Sequence, residues 1–365
     1  MLSSERAYWL AWSQVPGMGP ILLQKIAEGL GSLKEAWEID LEELKRIEGI
    51  KTSLMKAIAQ TRNQLDPEAF LIQHSLQNPH FWTPADPDYP NLLLEIQGMP
   101  PVIYYRGEVR PEENQGIIPL IAIVGTRRAT EHGYRWANKL SSYLAKYGIT
   151  IVGGMAPGIE NCAQEACLAS GGRTIAVLGT GVDVIYPLEM RQLYEKIRSQ
   201  GLIISEYPAG SKPERPHFPA RNRLIAALCR GVLVVEAPEK SGALITARYA
   251  NELGRDVYVV PNSPDVVESR GCLRLINEGA NLILDEQDLL TQLGSIPHLD
   301  QPLESLPDLT PELAQVLAIV QTEPTSFEAI ALSSNLASGI VAASLLELEL
   351  LGLISQLPGM RYIRS

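Results

Sequence analysis

The sequence predicts an α/β protein: an extended Rossmann-like parallel sheet, flanked by a small N-terminal helical domain and a C-terminal winged helix. Three observations predict it. Between Ile117 and Leu293 short apolar runs alternate with helical stretches, which is the pattern of a parallel sheet covered on both faces. Residues 1–66 show helical character broken by glycine hairpins, and residues 311–365 read as three helices followed by a small hairpin.

The totals fit this reading. A chain of 365 residues, 45% hydrophobic and 20% charged, has room for two or three domains and a large core. No apolar run approaches the roughly 18 to 20 residues that span a bilayer, and the N-terminus has no signal-peptide pattern, so no membrane role and a cytoplasmic location are expected. Cys162, Cys167, Cys229 and Cys272 lack CxxC spacing and are expected to be reduced, mostly buried thiols. The net charge of −11 is uneven: residues 1–115 carry −6, residues 116–294 carry +1, and residues 295–365 carry −6. A local basic groove in the near-neutral middle can still hold phosphates.

Residues 1–66 contain two related pieces, Val15-Pro-Gly-Met-Gly-Pro20 and Ile47-Glu-Gly-Ile-Lys51, each followed by a helix. Such hairpins can offer backbone N–H groups to a DNA phosphate, but they also simply join packed helices. With its acidic balance, this domain is expected to contact protein rather than DNA. Residues 66–116 are Pro-rich and are expected to be irregular, with VIYYRG as a strand joining or covering the sheet edge. Seven strands follow, at 121–124, 149–152, 174–178, 202–205, 232–236, 257–260 and 281–284. Residues 295–310 have linker composition. Residues 295–365 carry eight acidic residues against two arginines, which favours protein contact or dimer support over DNA for the final domain, residues 311–365.

Ligands of such sheets collect beyond the C-terminal strand ends, where the motifs fall. Ile121-Ala-Ile-Val-Gly-Thr-Arg-Arg-Ala-Thr130 is a strand, a glycine turn and a helix start, with Gly125, Thr126 and Arg127 in the turn. Free N–H groups, a positive dipole end and two arginines favour phosphate there. Glu214-Arg-Pro-His-Phe-Pro-Ala220 leads into Arg221-Asn-Arg223 and places Phe218 among cations, as single-stranded nucleic acid requires: the ring stacks on a base while guanidinium groups take phosphates. Helical spacing puts Arg221 in line with Leu224, Ile225 and Leu228 on the buried face, as a pocket-lining or structural cation, and Arg223 outward. Phe218 as a core plug is the bland alternative. Lys240-Ser-Gly-Ala-Leu-Ile-Thr246 suits phosphate, or Ser241 simply caps the helix. No GxGxxG with a following acid, GxxxxGK[ST], GxSxG or HExxH occurs, and the five histidines have no metal spacing. No cofactor and no catalytic residue is expected, and binding is favoured over catalysis.

With these motifs in place, the chain resembles the DprA (Smf) family of DNA-processing proteins. The resemblance rests on IAIVGTRRAT, TIAVLGTGVDVIYP, LIISEYPAGSKPERPHFPARNRLIA, GVLVVEAPEKSGALITARYANELGRDVYVVP and SRGCLRLINEGA, which follow one another in order within residues 80–290. It implies residues 1–66 as a SAM-like or helix-hairpin-helix-like domain, residues 67–294 as an extended Rossmann domain binding DNA, and residues 311–365 as a winged helix. It also implies single-stranded DNA binding, a homodimer, and loading of the recombinase RecA during natural transformation. By match of motif the DNA pocket falls on Gly125, Thr126, Arg127, Arg215, Phe218, Arg221, Asn222 and Arg223, with Ser241, Gly242 and Thr246 nearby. The chain departs from the family pattern at Pro157 and Glu160, where Arg and Asp are common, at Gln164 for His, and at Leu273 for Asn. The alternative is an enzyme, a nucleotide phosphoribohydrolase on a related sheet, but its Pro-Gly-Gly-x-Gly-Thr loop is replaced by Lys240 to Thr246.

Overall fold

The computed structural model describes residues 2–294, 310–320, 325–334, 336–350, 354–357 and 360–364. They belong to two units, Met1–Leu299 and Asp300–Ser365. The first unit opens with helices α1 (Leu2–Ser13), α2 (Pro20–Leu30), α3 (Leu33–Glu38), α4 (Leu41–Leu44), α5 (Thr52–Gln64) and α6 (Pro67–Gln77). Both expected hairpins are present, between α1 and α2 and between α4 and α5. Helix α6 corrects the expectation of an irregular chain after Asp66. Proline forbids a helix interior but suits its first position, and Pro67 sits there behind Asp66, whose carboxylate accepts from the Ala69 N–H at 2.8 Å.

Next come β1 (Phe81–Trp82), α7 (Asn91–Leu94), β2 (Ile103–Gly107) and α8 (Pro111–Asn114). The alternating part follows as β3 (Leu120–Val124), α9 (Glu131–Lys146), β4 (Thr150–Gly153), α10 (Ile159–Ala169), β5 (Thr174–Leu178), α11 (Arg191–Gln200) and β6 (Leu202–Ser205). It continues as α12 (His217–Leu228), β7 (Gly231–Val234), α13 (Ala243–Glu252), β8 (Asp256–Val259), α14 (Arg270–Asn277), β9 (Asn281–Leu282) and α15 (Glu286–Leu293). All seven expected strands therefore form, within a few residues of their expected limits.

These strands make one sheet in the order β1-β2-β6-β5-β4-β3-β7-β8-β9, with β2 antiparallel to both its neighbours and every other pair parallel. The chain steps outward from β3 to β6, then returns to place β7 on the other side of β3, so the order reverses between β3 and β7. Side chains alternate across each strand. Ile121, Ile123 and Ile151 therefore meet α9 and α10, while Ala122, Val124 and Val152 share a cluster with α12 and α13. That second cluster continues without a break into Trp12, Leu23, Trp37 and Ile58 of the N-terminal helices. The VIYYRG expectation holds, since β2 pairs antiparallel with β6 at the sheet's edge.

The second unit has α16 (Pro311–Ile319), β10 (Thr325–Ser326), α17 (Phe327–Ser334), α18 (Ser338–Leu350), β11 (Ile354–Leu357) and β12 (Arg361–Arg364). Its helices bury Leu313, Val316, Ile330, Val341 and Leu345 against Ile354 and Tyr362 of the three-stranded sheet β10-β12-β11. This is the winged helix that the sequence predicts. Residues 295–309 of the expected linker lie outside the described residues.

Candidate nucleic-acid interface

Because β3 to β7 run parallel, the turns at their C-terminal ends converge on one rim. A cavity of about 390 Å³ opens there. Arg127 comes from the turn after β3, Gly154 to Pro157 from the turn after β4, Tyr186 from the long turn after β5, and Phe218 and Arg221 from the start of α12. Phe218 is half-buried, so the core-plug alternative does not hold. Its ring lies 5.5 Å from the ring of Tyr186, and the Arg127 guanidinium carbon lies 6.0 Å above it. Arg127 and Tyr186 are exposed, Tyr186 at 44%. Two aromatic faces beside a solvated cation can hold a base by stacking and a phosphate by charge.

Arg221 forms the cavity floor, as its helical position requires. It is buried, and its Nη1 donates to the carbonyl oxygens of Gly154, at 2.9 Å, and Val177, which ties α12 to the ends of β4 and β5. Burial lowers its pKa; Glu160 opposes that shift and Arg127 adds to it. Only glycine fits opposite, since a Cβ on Gly154 would lie 1.6 Å from Nη1.

Three expectations need correction. The N-terminus of α9 is not free for phosphate, because Thr130 Oγ1 accepts from the Gly133 N–H at 3.3 Å and the buried Glu236 carboxylate accepts from the Thr130 N–H at 2.7 Å and its hydroxyl at 2.6 Å. The protein has put its own anion at that dipole end. Gly125 serves this packing, as a Cβ there would lie 2.5 Å from Ile159 and 2.8 Å from the Glu236 carbonyl oxygen. Secondly, Arg223 does not point outward. It pairs with Glu206 and donates to the Gly98 carbonyl oxygen at 3.0 Å, because residues 96–102 and the N-terminal helices cover that face of α12. Thirdly, Thr246 is buried within α13, and Thr126 is buried with its Oγ1 accepting from the Arg128 N–H at 3.2 Å.

The remaining residues lie around the cavity without lining it. Arg215 is exposed. Asn222 accepts from Arg221 Nε at 3.1 Å and donates to the Gly242 carbonyl oxygen at 3.3 Å, joining α12 to the turn after β7. Ser241 Oγ accepts from the Ala243 N–H at 3.3 Å, a local cap. Of the eleven residues read from the sequence, Arg127, Phe218 and Arg221 line the cavity. Tyr186 was missed although it stands in TIAVLGTGVDVIYP; an aromatic before proline in a glycine-rich turn was the available signal.

A sequence profile of the DNA recombination-mediator protein A family matches residues 80–294, and one of the DprA winged helix domain matches residues 299–360. The chain belongs to the DNA recombination-mediator protein A family. Protein Smf of Synechocystis is 52% identical over 397 residues, covering all of both chains, and DNA processing protein DprA of Streptococcus pneumoniae is 43% identical over 207, covering 57% of this chain and 72% of that one. The solved structure of the Streptococcus pneumoniae protein superimposes with a TM-score of 0.69 at 35% identity, covering 78% of this chain and 97% of that one. DNA processing protein A of Helicobacter pylori, solved for its single-stranded DNA binding mode, gives 0.52 at 31%, covering 58% and 95%.

Glu160 and Gln164 are built into the turn after β4. Glu160 accepts from the N–H groups of Gly154 at 2.7 Å and Ala156 at 3.4 Å. Gln164 accepts from the Met155 N–H at 3.1 Å and donates to Thr174 Oγ1 at 3.1 Å. Both are buried, and together they hold the turn that walls the cavity.

Proposed function

We propose that the protein binds single-stranded DNA along the C-terminal rim of the sheet, acts without catalysis, and as a homodimer in the cytoplasm hands the strand to a RecA recombinase during natural transformation. The observation that carries the binding reading is the Phe218 and Tyr186 ring pair under the Arg127 guanidinium, in a chain whose family relative from Helicobacter pylori was solved for its single-stranded DNA binding mode. A base enters the cavity and stacks on Phe218, its phosphate rests on Arg127, and the strand runs on past Arg215. Gly125, Thr126, Arg221, Asn222, Ser241, Gly242 and Thr246 shape this rim from behind. The winged helix, acidic like the N-terminal helices, is read as a protein-contact module. Family membership supports the recombination role and does not favour the phosphoribohydrolase alternative.

Titration of a labelled single-stranded oligonucleotide tests the binding. Phe218→Ala is expected to weaken it roughly tenfold or more, since stacking contributes about 1–3 kcal/mol per base. Unchanged affinity would remove Phe218 from the interface.

A further inference from the structure

A second cavity, of about 430 Å³, lies on the other side of the first turn of α12. Met18, Pro20 and Leu23 cover it from the hairpin between α1 and α2 and from α2 itself, and Arg223 and Glu206 stand in its wall. One Glu206 oxygen receives the Arg223 guanidinium, and the other, Oε2, has no protein partner among the described residues. The Glu206 side chain keeps 14% of its surface accessible, and it keeps it as part of the cavity wall. Tyr207 also lines this cavity, and its ring stacks on His217 with centroids 3.8 Å apart. His217 immediately precedes Phe218, so the two cavities flank a single helical turn, a separation on the order of a helix diameter of about 10 Å.

The chemistry selects an occupant. Glu206 and the Gly98 carbonyl already take up the Arg223 guanidinium, so this wall offers a phosphate no unpaired arginine and the sugar-phosphate chain stays outside. Apolar walls with an aromatic ring favour a flat heterocycle, and the accessible Glu206 oxygen in the cavity wall can accept from an N–H donor. Among the bases, cytosine, adenine and guanine carry an exocyclic amine, whereas thymine presents carbonyl oxygens beside its single N–H. We propose that this cavity is a second nucleobase subsite, which takes an amino-bearing base from the strand whose neighbouring base stacks on Phe218. The inference rests on the single-stranded DNA reading above and adds a base preference to it.

Fifteen-residue oligonucleotides of deoxycytidine and of deoxythymidine, titrated at pH 8 against the full chain, test it, because the two differ at the 4-amino group and N3. The parent is expected to prefer deoxycytidine roughly tenfold, equivalent to about 1.4 kcal/mol. Glu206→Gln turns the free oxygen into either an amide donor or a neutral acceptor and is expected to bring the ratio below about twofold. Met18→Trp fills the cavity from a half-buried turn position and is expected to do the same, which keeps the test decisive if Glu206→Gln does not fold. Equal parental affinities, or a preference undiminished in both variants, overturns the subsite while leaving Phe218 binding in place. No binding of either strand by the parent overturns both.

Discussion

Glu236 shows how a single side chain redirects a site. A strand, a glycine turn and a helix start are legible in IAIVGTRRAT, and they do form, yet the dipole end they create is filled by a carboxylate more than a hundred positions away. Local sequence shows the turn but not its occupant. Glu236→Ala would take the shared carboxylate from the half-buried Thr130 N–H and hydroxyl, and is expected to cost about 1–3 kcal/mol in urea unfolding. A loss below about 0.5 kcal/mol would contradict the cap. Arg127 is the exposed counterpart, the cation of that motif that lines the cavity. Arg127→Ala is expected to weaken strand binding and to reduce the slope of log affinity against log salt by about 0.7, whereas Phe218→Ala leaves the slope nearly unchanged. An unaltered slope in Arg127→Ala would place that cation off the phosphate path.

At the scale of elements, the periodicity of strands and helices is readable because β3 to β7 are short, fully buried and mostly apolar runs. Helix α12 was read on one face only. Spacing puts Arg221 inward, as found, but the face that carries Arg223 is covered as well, so that side chain keeps only 20% of its surface accessible. The cover comes from residues whose proximity depends on the whole fold. Helix α6 illustrates the converse, a proline that starts an element instead of breaking one. It carries His74, packed beside Phe70, Phe81 and Tyr104, with Nε2 3.0 Å from the Tyr104 hydroxyl. Burial lowers the His74 pKa below its ordinary 6.5. Between pH 6.5 and that lower value the unfolded chain binds more protons than the folded one. The stabilising contribution is therefore complete above pH 6.5 and is lost as the pH falls through the folded value. Thermal unfolding at pH 7.5 and 5 should show a smaller acid-side drop in Tm for His74→Asn than for the parent; equal drops would contradict the assignment.

At the scale of the molecule, the reversal of strand order between β3 and β7 marks where ligands of such sheets gather, and here that crevice is closed by Glu236 and Ile159. The open cavity is displaced along the rim toward β5, where Tyr186 and Phe218 face each other. Composition was a poor guide to this, because a net charge of −11 averages acidic flanks with a near-neutral sheet. The order of motifs was a good one, because parallel topology carries every turn after a strand to the same side. The central claim, that a strand lies on this rim with a base on the ring pair, is open to ultraviolet crosslinking of the full chain to a single-stranded oligonucleotide, followed by peptide mapping. Crosslinks at Phe218 and Tyr186 are the expected result. Crosslinks confined to residues 1–66 or to the winged helix, with none on the turns after β3 to β6 or on α12, would contradict it.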